Sequence, residues 1–283
     1  MYPWCKRGDL LAFWEIWLQA LILIVILGTF LWGVSVRIKN ASIVDIFWGP
    51  GFVVCAWWYA WQCEFDSWRS TLLLGLVTIW GLRLALHIGW RNHGKGEDYR
   101  YQQFRQDFGP ERYWWFSYFQ VFLLQGGLLW FISAPLLAVP YLAAEENPFG
   151  LFDALALFCW GVGFAFEAGG DWQLAQFKAN PDNKGKVLDQ GFWKYTRHPN
   201  YFGDAAVWWG YGLFSVASGS YWPMIGPLLM TGLIIQVSGV RLLERTLVDA
   251  KPEYRDYVER TSAFIPWPPK ASSSSRATSQ QES

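Results

Sequence analysis

A short polar stretch of this sequence contains the side chains best suited to hold a charged ligand. It runs GFWKYTRHPNYFGD from Gly191 to Asp204 and lies between two segments apolar enough to span a bilayer. Cationic and hydrogen-bonding groups at a membrane face need a polar, preferably anionic, partner to compensate for their desolvation. We therefore expect this turn to bind a large cofactor, through residues that include Arg197, His198, Asn200, Tyr201 and Asp204.

Polar side chains also interrupt two of the apolar segments. Asp45 stands in SIVDIFWGPG, where it either meets water at a helix end or hydrogen-bonds a substrate carbonyl. Trp80, Arg83 and His87 recur at steps of three and four, which places them on one face of a helix. We expect Arg83 either to pair with Asp45 or to contact a phosphate or a polarised carbonyl. His87 is a candidate proton donor or orienting group.

Mixed charges follow in the connection RNHGKGEDYRYQQFRQDFG. This connection is either a solvated surface loop or a lid whose acids hold ribose or amide hydrogens and whose cations meet phosphates. The lid hypothesis assigns cofactor contacts to Glu97, Asp98 and Arg100.

Charged residues recur where the later apolar segments end. Glu167 and Asp171 are four residues apart and are typical of a helix end that reaches water. Arg241 and Arg245 precede an amphipathic stretch, which either lies on the membrane surface or returns to the Gly191–Asp204 turn and builds a pocket with it.

Composition indicates an integral membrane protein. Of the 283 residues 53% are hydrophobic, only 16% are charged and 21 are tryptophan, whereas roughly a quarter of a soluble domain is charged. The formal net charge is zero, so no basic excess argues for nucleic acid as a partner. The four cysteines form no CxxC pair, and we assign them no metal or redox role.

Apolar runs of about 20 residues, the length of helix that crosses a bilayer, predict an all-α polytopic protein with about seven membrane helices. The expected spans are 11–36, 43–63, 68–90, 116–141, 151–170, 205–217 and 222–243. Lysines and arginines are concentrated after the third, fifth and seventh spans, whereas the connections after the second, fourth and sixth have none. This asymmetry places the N-terminus outside and the C-terminus in the cytoplasm, and we expect a multi-pass protein of a bacterial inner membrane.

Domain organisation is simple. We expect one transmembrane domain over residues 1–269, because no repeat or internal linker interrupts it. Residues 270–283 are rich in serine and glutamine and predict a disordered tail. The first apolar run is longer than a signal-peptide core, so we expect it to be retained as a helix.

Four segments together resemble the bacterial relatives of the steroid 5-alpha-reductase family, described as a domain of unknown function. They are KVLDQGFWKYTRHPNYFGD, the Arg241–Pro266 tail, SIVDIFWGPG and WGLRLALHIGWRNHGKGEDYRY, and the resemblance covers about Ala41 to Pro268. It implies a seven-helix membrane fold that holds NADPH in cytoplasmic loops and delivers a hydride to a double bond conjugated to a ketone. Related sterol reductases share the same core.

The resemblance also implies roles for individual residues. Ala175 stands where the steroid enzymes carry an arginine, so one phosphate contact is either lost or supplied by Lys178 or Lys186. Asp45 falls near the acid that holds the substrate ketone, and Arg83 matches an arginine that follows the catalytic tyrosine. Cofactor binding falls to Asp171, Lys178, Lys186, Tyr195, Arg197, His198, Asn200, Tyr201, Asp204, Arg241 and Arg245.

Trp80 occupies the position of the family's catalytic tyrosine, and this departure affects the mechanism. An indole N–H is no practical proton source. The proton donor would then be a neutral Asp45, His87, Tyr99, Tyr101 or a water. Catalysis is assigned to Asp45, Arg83 and His87.

The sequence thus predicts an NADPH-dependent membrane reductase of a conjugated double bond in a lipophilic, steroid-like, isoprenoid or fatty substrate. Two alternatives stay open. The arginine–histidine–proline turn and the EYRDYVERT tail also occur in isoprenylcysteine carboxyl methyltransferases, which take a methyl group from S-adenosylmethionine. A relative that binds lipid without turnover is the other alternative, and Trp80 is the residue that supports it.

Overall fold

The computed structural model describes residues 10–64, 67–142, 148–238 and 253–270. Within these ranges the chain is helical, and its only β contact is an isolated parallel bridge between Thr196 and Ser262. The chain divides into two compact units, the first Met1–Phe152 with Phe214–Gly226 and the second Asp153–Leu213 with Pro227–Ser283. The single domain expected over 1–269 stays a prediction, and the expected tail lies outside the described residues from 271 onwards.

The described ranges contain eleven α-helices, and short 3₁₀ or π-helical turns lie between some of them. The α-helices are α1 Leu10–Ile38, α2 Ile43–Gln62, α3 Trp68–Asn92, α4 Tyr99–Phe108, α5 Tyr113–Ser117, α6 Leu124–Ile132, α7 Ala134–Leu142, α8 Leu151–Ala179, α9 Pro199–Ala217, α10 Ile225–Leu233 and α11 Glu253–Arg260. A π-helical turn, Tyr118–Leu123, joins α5 to α6, and a 3₁₀ turn, Gly191–Lys194, precedes α9.

Five helical segments are long and apolar enough to cross a membrane: Leu11–Ile38, Ile43–Gln62, Trp68–Asn92, Tyr113–Leu142 and Leu151–Ala179. They confirm the predicted class, an all-α polytopic membrane protein. The sixth and seventh expected spans fall on α9 and on a shorter apolar helix, Trp222–Gln236. The total of seven spans and the orientation stay predictions.

One boundary differs from the expectation in a way that affects the site. The fifth span was expected to end at Gly170, but α8 continues to Ala179. Asp171 and Lys178 therefore lie on the last turns of a helix and not in a connection. Hydropathy falls where the helix leaves the hydrocarbon, yet the backbone remains helical, so an apolar run gives the span and not the whole helix.

In the first unit, α2 and α3 approach closely at a pair of glycines. A Cβ added to Gly81 would lie only 2.8 Å from the carbonyl oxygen of Gly49. Membrane helices pack closely through such small residues. Beside this contact the ring of Phe52 lies 5.9 Å from that of Trp80, which is completely buried. Trp80 is therefore a packing residue of the α2–α3 pair.

In the second unit, glycines play the same part between α8 and α9. A Cβ added to Gly163 would lie 2.6 Å from the backbone nitrogen of Val207 and 2.7 Å from the carbonyl oxygen of Gly203. Further along, Gly170 of α8 packs against Pro199, the first residue of α9. The start of α9 is thereby fixed beside the later turns of α8.

Candidate functional site

Asp45 lies in the first turn of α2, and two residues of α4 hold its carboxylate. Arg100 donates from Nη2 to Oδ2 at 2.8 Å, and the Tyr101 hydroxyl donates to Oδ1 at 2.6 Å. The Tyr101 hydroxyl also accepts a hydrogen bond from the Gln125 side chain at 3.3 Å. Tyr101 is buried, and its burial, followed by the charge of Asp45, raises its pKa. Asp45 therefore joins α2 to α4.

Asp98 fixes the start of α4. Its Oδ1 accepts from the backbone N–H of Arg100 at 3.0 Å, which is the arrangement of a helix N-cap, and from Arg100 Nε at 2.9 Å. Burial works to raise the pKa of Asp98, but the bonds from the Arg100 side chain and backbone hold that pKa below its ordinary value. Burial likewise opposes the charge of Arg100, yet Asp98 and Asp45 raise the pKa of Arg100. Arg100 bridges the two carboxylates as a cation.

The carboxylate of Glu97 is also held by hydrogen bonds from neighbouring residues. Its Oε1 accepts from the backbone N–H of Ala41 at 2.7 Å and from Arg105 Nη2 at 2.9 Å, and its Oε2 accepts from Arg105 Nε at 3.1 Å. The guanidinium of Arg105 also lies 4.6 Å from the centre of the Tyr113 ring. These contacts hold the residues before α4 against the turn between α1 and α2.

The sequence-predicted lid is therefore a braced connection in the first unit. The backbone N–H of Asp98 adds a further bond, to Ser42 Oγ at 3.0 Å. The cofactor contacts expected of Glu97, Asp98 and Arg100 stay predictions, while their observed bonds are with neighbouring residues of the same unit. The pairing of Arg105 with Glu97 was not predicted from the sequence. The two residues are eight positions apart, and Glu97 lies before the start of α4 while Arg105 lies within it, so the three- and four-residue spacing of a helix does not connect them.

The polar stripe of α3 is present, and it is half-buried. Arg83 and His87 are each partly exposed, and the His87 ring lies 6.2 Å from the ring of Trp90. The structure gives Asp45 a cationic partner in Arg100 of α4, which spacing within one helix could not reveal. The catalytic roles assigned to Asp45, Arg83 and His87 stay predictions.

In the second unit, the polar turn is tied to α8 at its beginning. Gly191 has a φ of +61°, a left-handed conformation that favours glycine. The next residue, Phe192, donates its backbone N–H to Gln173 Oε1 at 3.0 Å. The indole of Trp193 donates to the carbonyl oxygen of Gly170 at 3.1 Å. The turn is therefore anchored along the last three turns of α8.

The C-terminal segment is tied to the same turn from its other side. Arg197 is buried, and its Nη1 donates to the carbonyl oxygen of Val258 at 2.8 Å and to that of Thr261. The backbone N–H of Arg197 donates to the carbonyl oxygen of Ser262 at 2.9 Å. Thr196 Oγ1 donates to the carbonyl oxygen of Phe264 at 2.9 Å. We call residues 261–270 the strap, and the expected contact between the turn and the tail is present.

Tyr257 of α11 adds to this contact. Its hydroxyl donates to the carbonyl oxygen of Trp193. Burial is the largest of the causes that raise the pKa of Tyr257, so the phenol stays protonated and keeps its donor role. Tyr257 lies in the EYRDYVERT tail that the sequence analysis singled out, but the residue itself was assigned no role there.

Other predicted cofactor residues surround the start of α9. Asn200 Nδ2 donates to Asp171 Oδ1 at 3.1 Å, and the rings of His198 and Tyr201 stack with centroids 5.5 Å apart. Asp171 and His198 are buried. The remaining predicted residues of this unit differ in exposure: Tyr195, Lys178 and Lys186 are exposed, and Asp204 is partly buried.

Some predictions cannot be placed. Arg241 and Arg245 lie outside the described residues. Within the described ranges no group of three or more histidine, cysteine or acidic side chains is arranged to hold a metal ion.

Fold and site together define a polytopic α-helical membrane protein in which a buried basic turn is clamped between a membrane helix and a C-terminal strap. The chain belongs to the family described as "Protein of unknown function (DUF1295)", whose model matches residues 31–261. This agrees with the family resemblance of the sequence, although nothing in the match shows a bacterial origin.

Two fission yeast proteins are similar to the chain. An uncharacterized protein of Schizosaccharomyces pombe is 29% identical over 273 residues, which cover 87% of this chain and 78% of that protein. The Delta(14)-sterol reductase of the same organism is 31% identical over 102 residues, which cover 31% of this chain and 24% of the reductase. These relatives give no support to a bacterial inner membrane as the location. No solved structure matches the chain at a significant level.

Proposed function

We propose that the protein is an NADPH-dependent membrane reductase that saturates a conjugated carbon–carbon double bond in a lipophilic, steroid-like, isoprenoid or fatty substrate. The observation that carries this proposal is the similarity to a Delta(14)-sterol reductase. The matched part is short, so the chemistry of this chain has to be supported by its own residues.

The buried turn of the second unit suits an anionic cofactor. Arg197 is fixed by carbonyl oxygens of the C-terminal segment, and because these acceptors are neutral they position the guanidinium without cancelling its charge. His198 follows directly, and α9 begins at Pro199, so the positive end of a helix dipole lies beside both. Cation, imidazole and helix start together favour a phosphate or pyrophosphate.

Neighbouring groups suit the rest of a nicotinamide nucleotide. Asn200 and Asp171 present an amide and a carboxylate to the same region, and the exposed ring of Tyr195 offers a stacking surface. The exposed Lys178 and Lys186 match the need for further phosphate contacts. When bound, NADPH would supply the hydride of the reaction.

The protein would supply carbonyl polarisation and a proton. Asp45, Arg83 and His87 are the proposed catalytic residues. The buried indole of Trp80 leaves the proton to another group, and Tyr101 is the candidate whose hydroxyl lies 2.6 Å from Asp45. Loss of this proton would leave a phenolate, which the Gln125 amide can stabilise as a hydrogen-bond donor, and water would have to restore the proton.

Titration of purified protein with NADPH, NADH and S-adenosylmethionine tests the proposal. Wild-type protein should bind NADPH. Arg197→Gln keeps an amide donor for the carbonyls but removes the charge, so the loss of one charge-assisted contact of about 1.5–3 kcal/mol should weaken binding about 10- to 100-fold. Absence of nicotinamide binding, or equal affinity in Arg197→Gln, would refute the proposal. Tight binding of S-adenosylmethionine instead would favour a methyltransferase.

A further inference from the structure

The strap presents two large apolar side chains to the surroundings of the protein. Ile265 is 65% exposed and Trp267 is 69% exposed. They stand in the sequence FIPWPPK, which ends in Lys270. Single exposed apolar residues are common on proteins, but these two are separated by one residue and are held by a firmly bonded backbone.

The backbone that displays them is fixed at three points. Thr196 Oγ1 holds the carbonyl oxygen of Phe264, and the backbone N–H of Trp267 donates to the carbonyl oxygen of Tyr195 at 2.9 Å. The backbone N–H of Lys270 donates to the carbonyl oxygen of Arg260, also at 2.9 Å. Prolines on both sides of Trp267 restrict φ further. Because the segment is already ordered, docking it on a surface costs little conformational entropy.

The depth of the strap relative to the bilayer can be inferred from its contacts within the second unit. Residues 151–170 of α8 rise about 30 Å, which matches the hydrocarbon core of a membrane. The polar turn lies at the end of that stretch, because Trp193 bonds the carbonyl oxygen of Gly170 and Pro199 packs on the same glycine. Trp267 is bonded to Tyr195 of this turn. With residues 151–170 in the hydrocarbon core, these contacts would place the exposed pair at the boundary between hydrocarbon and headgroups.

The side chains around the pair are those of a membrane interface. Tyr195 is 41% exposed, and the ammonium of Lys194 lies 6.0 Å from the centre of its ring. Just past the Gly170 level, Trp172 is also exposed. Tryptophan, tyrosine and lysine favour this depth because each combines an apolar body with a polar or charged end.

We propose that Ile265 and Trp267 insert into the headgroup layer of the bilayer that α8 spans, with Lys194 and Lys270 beside the lipid phosphates. The strap then holds the polar turn at the lipid surface, where a lipophilic substrate would arrive. The proposal concerns the depth of the strap and does not depend on which cofactor the turn binds.

Nitroxide accessibility in the full chain tests the proposal. Ile265→Cys is labelled in a background with Cys5 and Cys159 replaced by serine, and the protein is reconstituted in phosphatidylcholine vesicles with and without phosphatidylglycerol. Asp256→Cys, at an exposed position of α11, is the matched control. We expect the label at position 265 to be relaxed by oxygen and shielded from a water-soluble nickel complex, and the label at 256 to show the reverse.

Two results would overturn the proposal. One is equal nickel accessibility at positions 265 and 256 in both kinds of vesicle, which would place the strap in water. The other is spin–spin broadening at position 265 that disappears on dilution with unlabelled protein, which would show that a second copy of the chain covers the surface. Because the two side chains insert together, Trp267→Ser should raise the nickel accessibility of the label at position 265. An unchanged accessibility in this variant would also count against insertion.

Discussion

The hydroxyl of Thr196 connects the polar turn to the strap, and its removal has a predictable local effect. Thr196 is completely buried, its Oγ1 donates to the carbonyl oxygen of Phe264 at 2.9 Å, and it accepts the backbone N–H of His198 at 3.3 Å. Oγ1 also lies 3.4 Å from the carbonyl oxygen of Ala263. Thr196→Val keeps the shape of the side chain and removes all three contacts. An unsatisfied buried group costs about 1–3 kcal/mol. We expect a total loss of about 2 kcal/mol, in the middle of this range.

Hydrogen exchange of backbone amides measures this loss where it occurs. The amides of Arg197 and Trp267 report on the strap because their bonds cross from the turn to the C-terminal segment. A loss of about 2 kcal/mol in local opening free energy corresponds to about 30-fold faster exchange. We expect that acceleration at these two amides, with the amides of α2 and α3 unchanged.

A second threonine supplies the control. Thr231 of α10 also donates to a backbone carbonyl, that of Pro227 at 2.8 Å, and accepts from the Trp209 indole at 3.1 Å. Thr231→Val should leave the exchange of the strap amides as in the wild type. Unchanged strap exchange in Thr196→Val, or an equal acceleration in Thr231→Val, would refute the reasoning.

Three further predictions concern packing and charge. Gly163→Ala should lower the free energy of unfolding by about 1–3 kcal/mol, because its Cβ would meet backbone atoms of α9. Gly161→Ala on the same helix has open space around the added Cβ, so this control should be neutral or slightly stabilising. Asp45→Asn and Tyr101→Phe should each cost about 1–2 kcal/mol in denaturation, and the double variant less than their sum, because they share one hydrogen bond. Because the pKa of Asp98 is lowered in the folded protein, its ionised carboxylate stabilises the fold at pH values above the ordinary carboxyl pKa of about 4. That stabilisation is lost as the pH falls through the folded-state pKa. Asp98→Asn should therefore lose less stability on acidification than the wild type does.

Features with a local pattern could be predicted from the sequence. Membrane helices follow from apolar runs, and the five observed candidates overlap the first five expected spans. The contact between the Gly191–Asp204 turn and the C-terminal tail was predicted because one helical hairpin separates them in the sequence. The bonds of Arg197 and Thr196 to the C-terminal segment show that contact. Helix ends outside the apolar run could not be predicted, since charged and amide side chains interrupt the extension of α8 to Ala179.

Pairings between distant residues could not be predicted. Asp45 and Arg100 are 55 positions apart, and only the folded connection brings them within 2.8 Å. From the sequence, Arg83 was expected either to pair with Asp45 or to contact a phosphate or a polarised carbonyl, whereas the cation that the structure shows bonded to Asp45 is Arg100 of α4. The expected role of Arg197 in holding a cofactor stays a prediction, and the structure shows a role that the sequence did not indicate, the capping of carbonyls at the end of α11.

Transfer of deuterium from nicotinamide-labelled NADPH into a lipid tests the central claim most directly. Purified protein in nanodiscs is incubated with an unlabelled lipid extract, and the lipids are analysed by mass spectrometry. A reductase predicts a lipid product that carries deuterium at a former double bond, and less of this product with Arg197→Gln when NADPH is limiting. Lipids without deuterium, in a sample that instead transfers a labelled methyl group from S-adenosylmethionine, would contradict the account.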